Sequence, residues 1–322
     1  MNRITAVVLC CDIYLSHMSL NHDEMIAGSR SPKPSHITLP KQELPFPSLL
    51  NFLDSHFPRV GRDVWLERLR CKKISDEQGR VVDEATPYRI NARLRYFREV
   101  GAEPRIPFEE QILYEDDEIL IADKPHFLPV TPTGKHVNEC LLHRLVVRTG
   151  SEQLVPVHRL DKDTAGVVLF SKRPETRRHY FGLFEDRKIE KQYEAIATLP
   201  EESGRKSWLV ESRIEPSGEW ILCHNVPGKI NARSRIELLQ SSGEYARFLL
   251  SPITGKTHQL RLHMGLLGSQ ILNDRFYPEL QPESEVVDYT QPLQLLAKSL
   301  AFSDPLTGIN HQISSEKSLS SW

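Results

Sequence analysis

The stretch Val157-His158-Arg159-Leu160-Asp161-Lys162-Asp163-Thr164-Ala165-Gly166-Val167 crowds five ionisable side chains into six positions, directly before the apolar run Gly166 to Phe170. That run reads as a strand, and the charged residues ahead of it as the turn that feeds it. Asp161 stands between Arg159 and Lys162, whose charges favour its ionised form. An ionised carboxylate beside cations suits a nucleophile or a charge stabiliser and makes a poor general acid. The same residues also fit a purely structural turn, in which Asp163 and Thr164 bond the local backbone before the strand. Residue types alone leave both readings open.

Upstream, Ile112 to Tyr114 and Ile119 to Ala122 read as two strands joined by the acidic turn Glu115-Asp116-Asp117-Glu118. Downstream, strand-like runs span Gln192 to Thr198, Arg233 to Leu239, Tyr245 to Ser251 and Gln259 to His263. Helical patterns fall at Asn138 to Arg148, Pro174 to Glu185 and, in part, Thr257 to Leu267. Strands outnumber helices and do not alternate with them regularly. The expected fold class is therefore α+β, with a mixed, largely antiparallel sheet.

Two further polar clusters stand out. If Gln259 to His263 is a strand, Gln259, Arg261 and His263 share one face; this fits a lined cleft or an exposed face equally. In Lys191-Gln192-Tyr193-Glu194-Ala195, alternation puts Lys191, Tyr193 and Ala195 on one face, where a tyrosine commonly serves packing. There is no glycine-rich phosphate loop after a strand, no GxSxG and no HExxH. His258 and His263 are five positions apart, a poor spacing for a metal on one helical face, so no metal site is expected.

The chain has 322 residues, 39% hydrophobic and 26% charged, enough for a sizeable core and, at roughly 150 residues each, about two domains. Net charge is 41 − 43 = −2, which excludes a histone-like polycation but not a local basic face. No apolar run approaches the roughly 18 residues that span a bilayer, so no membrane partner is expected. Cys10, Cys11, Cys71, Cys140 and Cys223 are odd in number and form no CxxC, which argues against a disulfide framework or zinc ribbon and fits a reducing, cytoplasmic setting.

The front of the chain is less informative. Leu49, Leu50, Phe52, Leu53 and Phe57, then Val64, Trp65, Leu66 and Leu69, have near-helical spacing, with Asp63 placed to cap the second helix. Ile74, Gly79, Val81 and Val82 suggest a short hairpin. Residues 51–100 hold 11 Lys and Arg against 8 Asp and Glu, with Arg59, Arg62, Arg68, Arg70, Lys72 and Lys73 close together. This reads either as a small α/β RNA-binding-like domain over 41–100, with Arg59, Arg62, Lys72 and Lys73 on RNA phosphates, or as an ordinary solvated surface. Gly101, Pro104 and Pro107 mark 101–110 as a linker. Residues 1–40 read as a disordered extension, or as a start placed upstream of Met18 or Met25. The apolar run Ile4 to Cys11 is cut short by Asp12 and lacks a cleavage site, so it does not read as a secretory signal.

Taken together, the polar strings resemble the RluA-type family of RNA pseudouridine synthases. His158-Arg159-Leu160-Asp161 through Gly166 is similar to the family's HRLDxxTSG, Lys191 to Ala195 to its KxYxA, and Thr254 to His263 to its TGRTHQIRxH. Tyr114 to Pro125 resembles the entry hairpin YEDxxILVxxKP, and Leu295 to Pro305 the closing LHAxxLxFxHP. One string alone has low specificity; five in the same order, over about residues 110–308, are specific. The resemblance implies a pseudouridine-synthase catalytic domain over 111–310, with 311–322 as a tail. It implies Asp161 as the nucleophile and Arg159, beside His158, as the residue that enters the RNA and replaces the extruded base. It further implies Tyr193 stacked on the uracil, Arg261 paired with Asp161, and Leu262 as an apolar wall. The implied partner is structured ribosomal or transfer RNA, the protein is expected to act as a monomer, and the isomerisation needs no cofactor. A non-catalytic RNA-binding protein is the alternative. Ala165 stands where the family has Ser, Lys256 where it has Arg, Leu296 where it has His, and Asn273-Asp274-Arg275-Phe276-Tyr277 departs from GDxLYG. None of these departures replaces Asp161, Arg159, Tyr193 or Arg261; they bear on substrate choice.

Overall fold

The structure is a computed structural model and describes residues 25–26, 29–31, 34–41, 46–58, 60–134, 136–200, 204–218, 222–282 and 286–319. Its front part holds β1 (Met25–Ile26), β2 (Ser29–Arg30), β3 (Ser35–Thr38), α1 (Leu49–His56), α2 (Arg62–Arg70), β4 (Ile74–Asp76), β5 (Arg93–Tyr96), β6 (Glu99–Val100) and β7 (Glu103–Pro104). Leu49, Phe52 and Leu53 form one face of α1, and Trp65 and Leu69 one face of α2, as i, i+3, i+4 spacing requires. Those faces close a small core with Ile37, Ile74 and Leu94 of the three-stranded sheet β3-β5-β4. Ser48 caps α1 by accepting the Asn51 N–H at 3.2 Å. The second helix starts after Gly61, at φ 80°, so Asp63 lies in its first turn rather than at the cap.

Two boundaries differ from expectation. The extension expected to be disordered up to residue 40 ends in β3, which pairs with β5 and buries Ile37, with Leu39 buried just beyond it; residues 1–24 lie outside the described residues. The segment 101–110, expected as a linker, is paired at β7, which runs antiparallel to β1, and just ahead of it β6 runs antiparallel to β2. Backbone pairing needs no side-chain pattern, and two-residue ladders leave no hydrophobic period to read.

The rest of the chain builds on one large sheet. Its elements are β8 (Gln111–Glu115), β9 (Ile119–Lys124), α3 (Leu141–Thr149), β10 (Val155–Pro156), β11 (Ala165–Ser171), α4 (Arg177–Glu185), β12 (Glu190–Thr198), β13 (Ser207–Pro216), β14 (Cys223–Val226), β15 (Ala232–Ser242), β16 (Tyr245–Pro252), α5 (Gln259–Leu266), β17 (Leu295–Ser303) and β18 (Asn310–Ser314). The order is β14-β13-β15-β16-β12-β17-β11-β9-β8, with β10 added to β11 and β18 to β17. Among the described residues only β11 and β17 pair in parallel, and every other ladder of this sheet is antiparallel. The fold is thus α+β with a mixed, largely antiparallel sheet. No helix among the described residues is long and apolar enough to cross a membrane.

Both faces of the central strands are buried, which is why they read as unbroken apolar runs. Leu120, Ala122, Val168 and Phe170 face Leu141 and Leu145 of α3. Ile119, Ile121, Val167 and Leu169 face Tyr180 and Leu183 of α4. Farther along the sheet, Ala195, Ile236, Phe248 and Leu250 pack under Leu260 and Met264 of α5. The expected 311–322 tail is in part structural, since β18 pairs with β17, and the Ser315 hydroxyl and Glu316 N–H bond the buried Asp123.

Gln259 to His263 is helical, so of the two patterns read there, a strand and part of a helix over Thr257 to Leu267, the structure takes the helix. Its alternating pattern is misleading because all residues from Gln259 to Met264 are buried, so no exposed face marks the period. Each polar side chain meets a partner in the tertiary structure instead. Gln259 Nε2 donates to the Arg233 carbonyl and Ser234 Oγ, and the His263 ring nitrogens lie 3.0 and 3.1 Å from the hydroxyls of Ser234 and Ser212.

Candidate active site

The charged stretch before β11 forms a tight turn, with the Thr164 N–H donating to the Asp161 carbonyl at 3.2 Å. Its position is fixed from below by two residues at the end of β9 and just beyond. The fully buried Lys124 donates through Nζ to the carbonyls of Pro125, Leu128 and Lys162 at 3.0, 2.7 and 3.0 Å. Burial lowers its pKa to about 7, opposed by Asp163 and Asp161, and three carbonyls match the three N–H groups of an ammonium. His126 Nδ1 donates to the Asp163 carbonyl at 2.7 Å. Gly166 lets the turn enter the sheet. At φ 116°, a Cβ on it would lie 2.1 Å from the Ala297 carbonyl oxygen on the parallel neighbour β17.

Above this turn opens a cleft of about 1160 Å³, continuous in its lining with a recess of about 110 Å³. Arg159, Asp161, Lys191, Tyr193 and Lys256 line both; Arg261, His258, Leu260 and Leu295 line the recess. The Asp161 side chain is 31% exposed, so its carboxylate is open to the cleft while its neighbours are dry. Arg261 Nη1 lies 3.5 Å from Asp161 Oδ2, and His258 Nε2 3.9 Å from the same oxygen. Tyr193, on β12, has its pKa raised by burial and by the Asp161 charge.

The structure thus brings Asp161, Arg159, Tyr193 and Arg261 together, from the turn before β11, from β12 and from α5. It departs from expectation in the partner of Arg261. That guanidinium is held side-on by Asp274, with Nε donating to Oδ2 at 2.8 Å and Nη2 to Oδ1, and Asp161 receives only the remaining Nη1. Nη1 has no hydrogen-bond partner among the described residues. Phe276 and Tyr277 flank the guanidinium, with their ring centres 4.6 and 5.3 Å from Cζ. Asp274 also accepts the N–H groups of Phe276 and Tyr277. The acid was legible as the one retained charged residue of the GDxLYG-like string, but nothing in its spacing points to Arg261.

Leu262 does not line the recess. A helix rotates it about 100° from Arg261, into a cluster with Ile214, Cys223, Ala232 and Tyr277, and Leu260 and Leu295 supply apolar wall instead. His158 lines the cleft but is turned inward. Its Nε2 accepts the Leu169 N–H at 3.1 Å, its ring stacks on Phe184, and burial lowers its pKa to about 3. It is a neutral support for the turn.

The cations divide into two groups. In the front part, Arg62 pairs with Asp54, Lys73 with Glu99, Arg70 with Glu84 and Arg93 with Glu77, and Arg59 lies outside the described residues. Lys72 is exposed and has no ionic partner among the described residues. On the cleft, Arg159, Lys162, Arg187, Arg235 and Lys256 have no ionic partner among the described residues. Arg187 and Arg235 carry no local sequence signal; only folding brings them to one rim.

Comparison with known proteins bears on the family and the fold. A family model described as RNA pseudouridylate synthase matches residues 118–265. Ribosomal large subunit pseudouridine synthase D of Haemophilus ducreyi is 32% identical over 233 residues, 69% of this chain and 70% of that protein. The tRNA pseudouridine synthase C of the same organism is 31% identical over 212 residues, 62% of this chain and 87% of that protein. In fold, the chain resembles human RNA pseudouridylate synthase domain containing 1, with a TM-score of 0.53 at 18% identity over 67% of this chain and 86% of that one. The identity to these two synthases, over 70% and 87% of their lengths, places the chain in the RluA-type family of RNA pseudouridine synthases, the isomerases of uridine in RNA.

Proposed function

We propose that the chain isomerises a uridine in structured ribosomal or transfer RNA, with Asp161 acting at the ribose C1′ of a nucleotide everted into the recess. The N1–C1′ bond breaks, a C5–C1′ bond forms, and the hydrogen on C5 leaves as a proton while N1 regains one, so atoms balance without an external reagent. Asp161 can attack C1′, or stabilise charge there on a glycal route. Turning the detached uracil needs an enclosed site with a flat partner, the part given to Tyr193, with Leu260 and Leu295 as apolar wall. Eversion costs a few kcal/mol of lost stacking and pairing. Arg159, exposed and without an ionic partner among the described residues, has the planar donor group suited to the vacated stack. Arg261 Nη1 lies 3.5 Å from the Asp161 carboxylate and offers it an opposite charge at a half-dry site, where a lone charge is costly.

The observation that carries this reading is the Asp161 carboxylate, open to the cleft and 3.5 Å from a guanidinium nitrogen with no other acceptor. Ribosomal and transfer RNA are the substrates named for the two Haemophilus relatives. The cleft cations without an ionic partner among the described residues support a phosphate-binding rim there; of the described front-part contacts expected, Arg62, Lys72 and Lys73, it is Lys72 that has no ionic partner among the described residues. The test is tritium release from RNA labelled at uridine C5. Asp161→Asn abolishes release while retaining fold and RNA binding; release at the wild-type rate refutes the assignment.

A further inference from the structure

Residues 98–106, between the front core and the large sheet, hold the opposite wall of the cleft at points of both polarities. Arg98 donates from Nη1 to the Pro132 carbonyl at 3.2 Å and from Nη2 to the Gly134 carbonyl at 2.9 Å. The fully buried Glu103 carboxylate accepts the N–H groups of Val137, Asn138 and Glu139 at 2.8, 3.0 and 2.8 Å. The Ile106 N–H donates to the buried Glu139 carboxylate at 2.9 Å. The loop gripped in this way carries Thr131 and Thr133, which line the cleft with Arg159 and Asp161. It is irregular, apart from a Thr133–His136 bridge, and cannot hold its own amides in a ladder.

A buried carboxylate on three backbone amides is a strong, directional anchor, since a charged acceptor roughly doubles each bond. The anchor sits on the same short segment that pairs with β1 and β2. We propose that Arg98 and Glu103 are positioning residues for the RNA substrate: they set the Thr131–Thr133 wall of the cleft and couple its placement to the front part of the chain. They touch no reacting atom. Loosening them therefore widens the cleft and weakens RNA capture, while the Asp161 turn, held separately by Lys124 and His126, keeps its chemistry. This inference rests on the proposed RNA isomerisation.

The test uses the full chain with Arg98→Ala, Glu103→Gln and Glu103→Asp. Tritium release is measured on in vitro transcribed large-subunit ribosomal RNA and, in parallel, on pooled transfer RNA transcripts. Arg98→Ala and Glu103→Gln are expected to raise KM about fivefold or more with kcat within about twofold, the signature of lost uniform binding, and Glu103→Asp restores part of it. Amide hydrogen exchange at Val137, Asn138 and Glu139 rises in Glu103→Gln. A purely structural role would lower Tm and the active fraction with KM unmoved, and that result overturns the proposal. If the wild type releases tritium from neither RNA, the isomerase reading fails on its own; unaltered exchange at these three amides in Glu103→Gln then overturns the clamp as well.

Discussion

Removing Asp274 tests how the site holds a bare carboxylate and a buried guanidinium side by side. The Asp274 and Arg261 side chains are 3% and 1% exposed. In Asp274→Ala, Arg261 loses both of its hydrogen-bonded acceptors, and the N–H groups of Phe276 and Tyr277 lose theirs. Breaking such a buried pair costs about 3–5 kcal/mol. At about 2–4 °C per kcal/mol for a unit of this size, Tm falls on the order of 10 °C. Among the described residues, the carboxylate then left within 4 Å of the guanidinium is Asp161, 3.5 Å away. Closing that gap adds one charge-assisted hydrogen bond, about 1.5–3 kcal/mol of stabilisation of the resting carboxylate. If that bond must be released for reaction, kcat falls about 10- to 150-fold. Thermal unfolding and tritium release measure the two effects separately. Arg261→Met combined with Asp274→Leu removes both charges and leaves a thioether beside Phe276 and Tyr277, so it recovers much of the lost Tm without recovering activity. A single Asp274→Ala variant that melts like the wild type, or a double variant no more stable than the single, refutes this account of the pair.

Two further outcomes follow from the same contacts. His126, His158 and His263 are held by burial at about 4, 3 and 4, against an ordinary 6.5. Between those values the unfolded chain binds protons that the folded chain does not, so stability is full above about pH 6.5 and declines toward pH 4, by up to ~1.4 kcal/mol per pH unit for each histidine; urea midpoints that stay constant from pH 7.5 to 5 contradict this. Gly166→Ala drives a methyl into the Ala297 carbonyl and strains a φ of 116°, so it yields little soluble protein or an inactive one; wild-type yield and turnover speak against the close β11–β17 approach.

Much of the sheet is legible in the sequence. The β8–β9 hairpin, β11, β12, β15 and β16 fall where apolar runs and turn residues put them, helped by the burial of both faces in β9 and β11 and by alternation along β15 and β16. β13 and β17 have no such signal. Leu209 of β13 is exposed in an otherwise alternating strand, and β17 mixes Ala, Lys and Ser into its core positions. At the site, Asp161, Arg159, Tyr193 and Arg261 are legible through the strings that hold them, whereas the grip of Asp274 on Arg261 and the places of Leu260, Arg187 and Arg235 are not.

By itself the sequence determines a charged turn before an apolar strand, the α+β class and the family. It determines these because local patterning and short ordered motifs survive without three-dimensional context. The tertiary structure alone decides between the strand and the helix that the sequence allows at residues 259–266, since a segment buried on all sides loses the polar face that marks its period. It alone decides that Arg261 is gripped by Asp274, that Leu262 faces away from the recess, and that the apparent linker holds the cleft wall. Each of these depends on partners 13 to 36 residues distant, or on a rotation about a helix axis, and neither quantity is written in the local order of side chains.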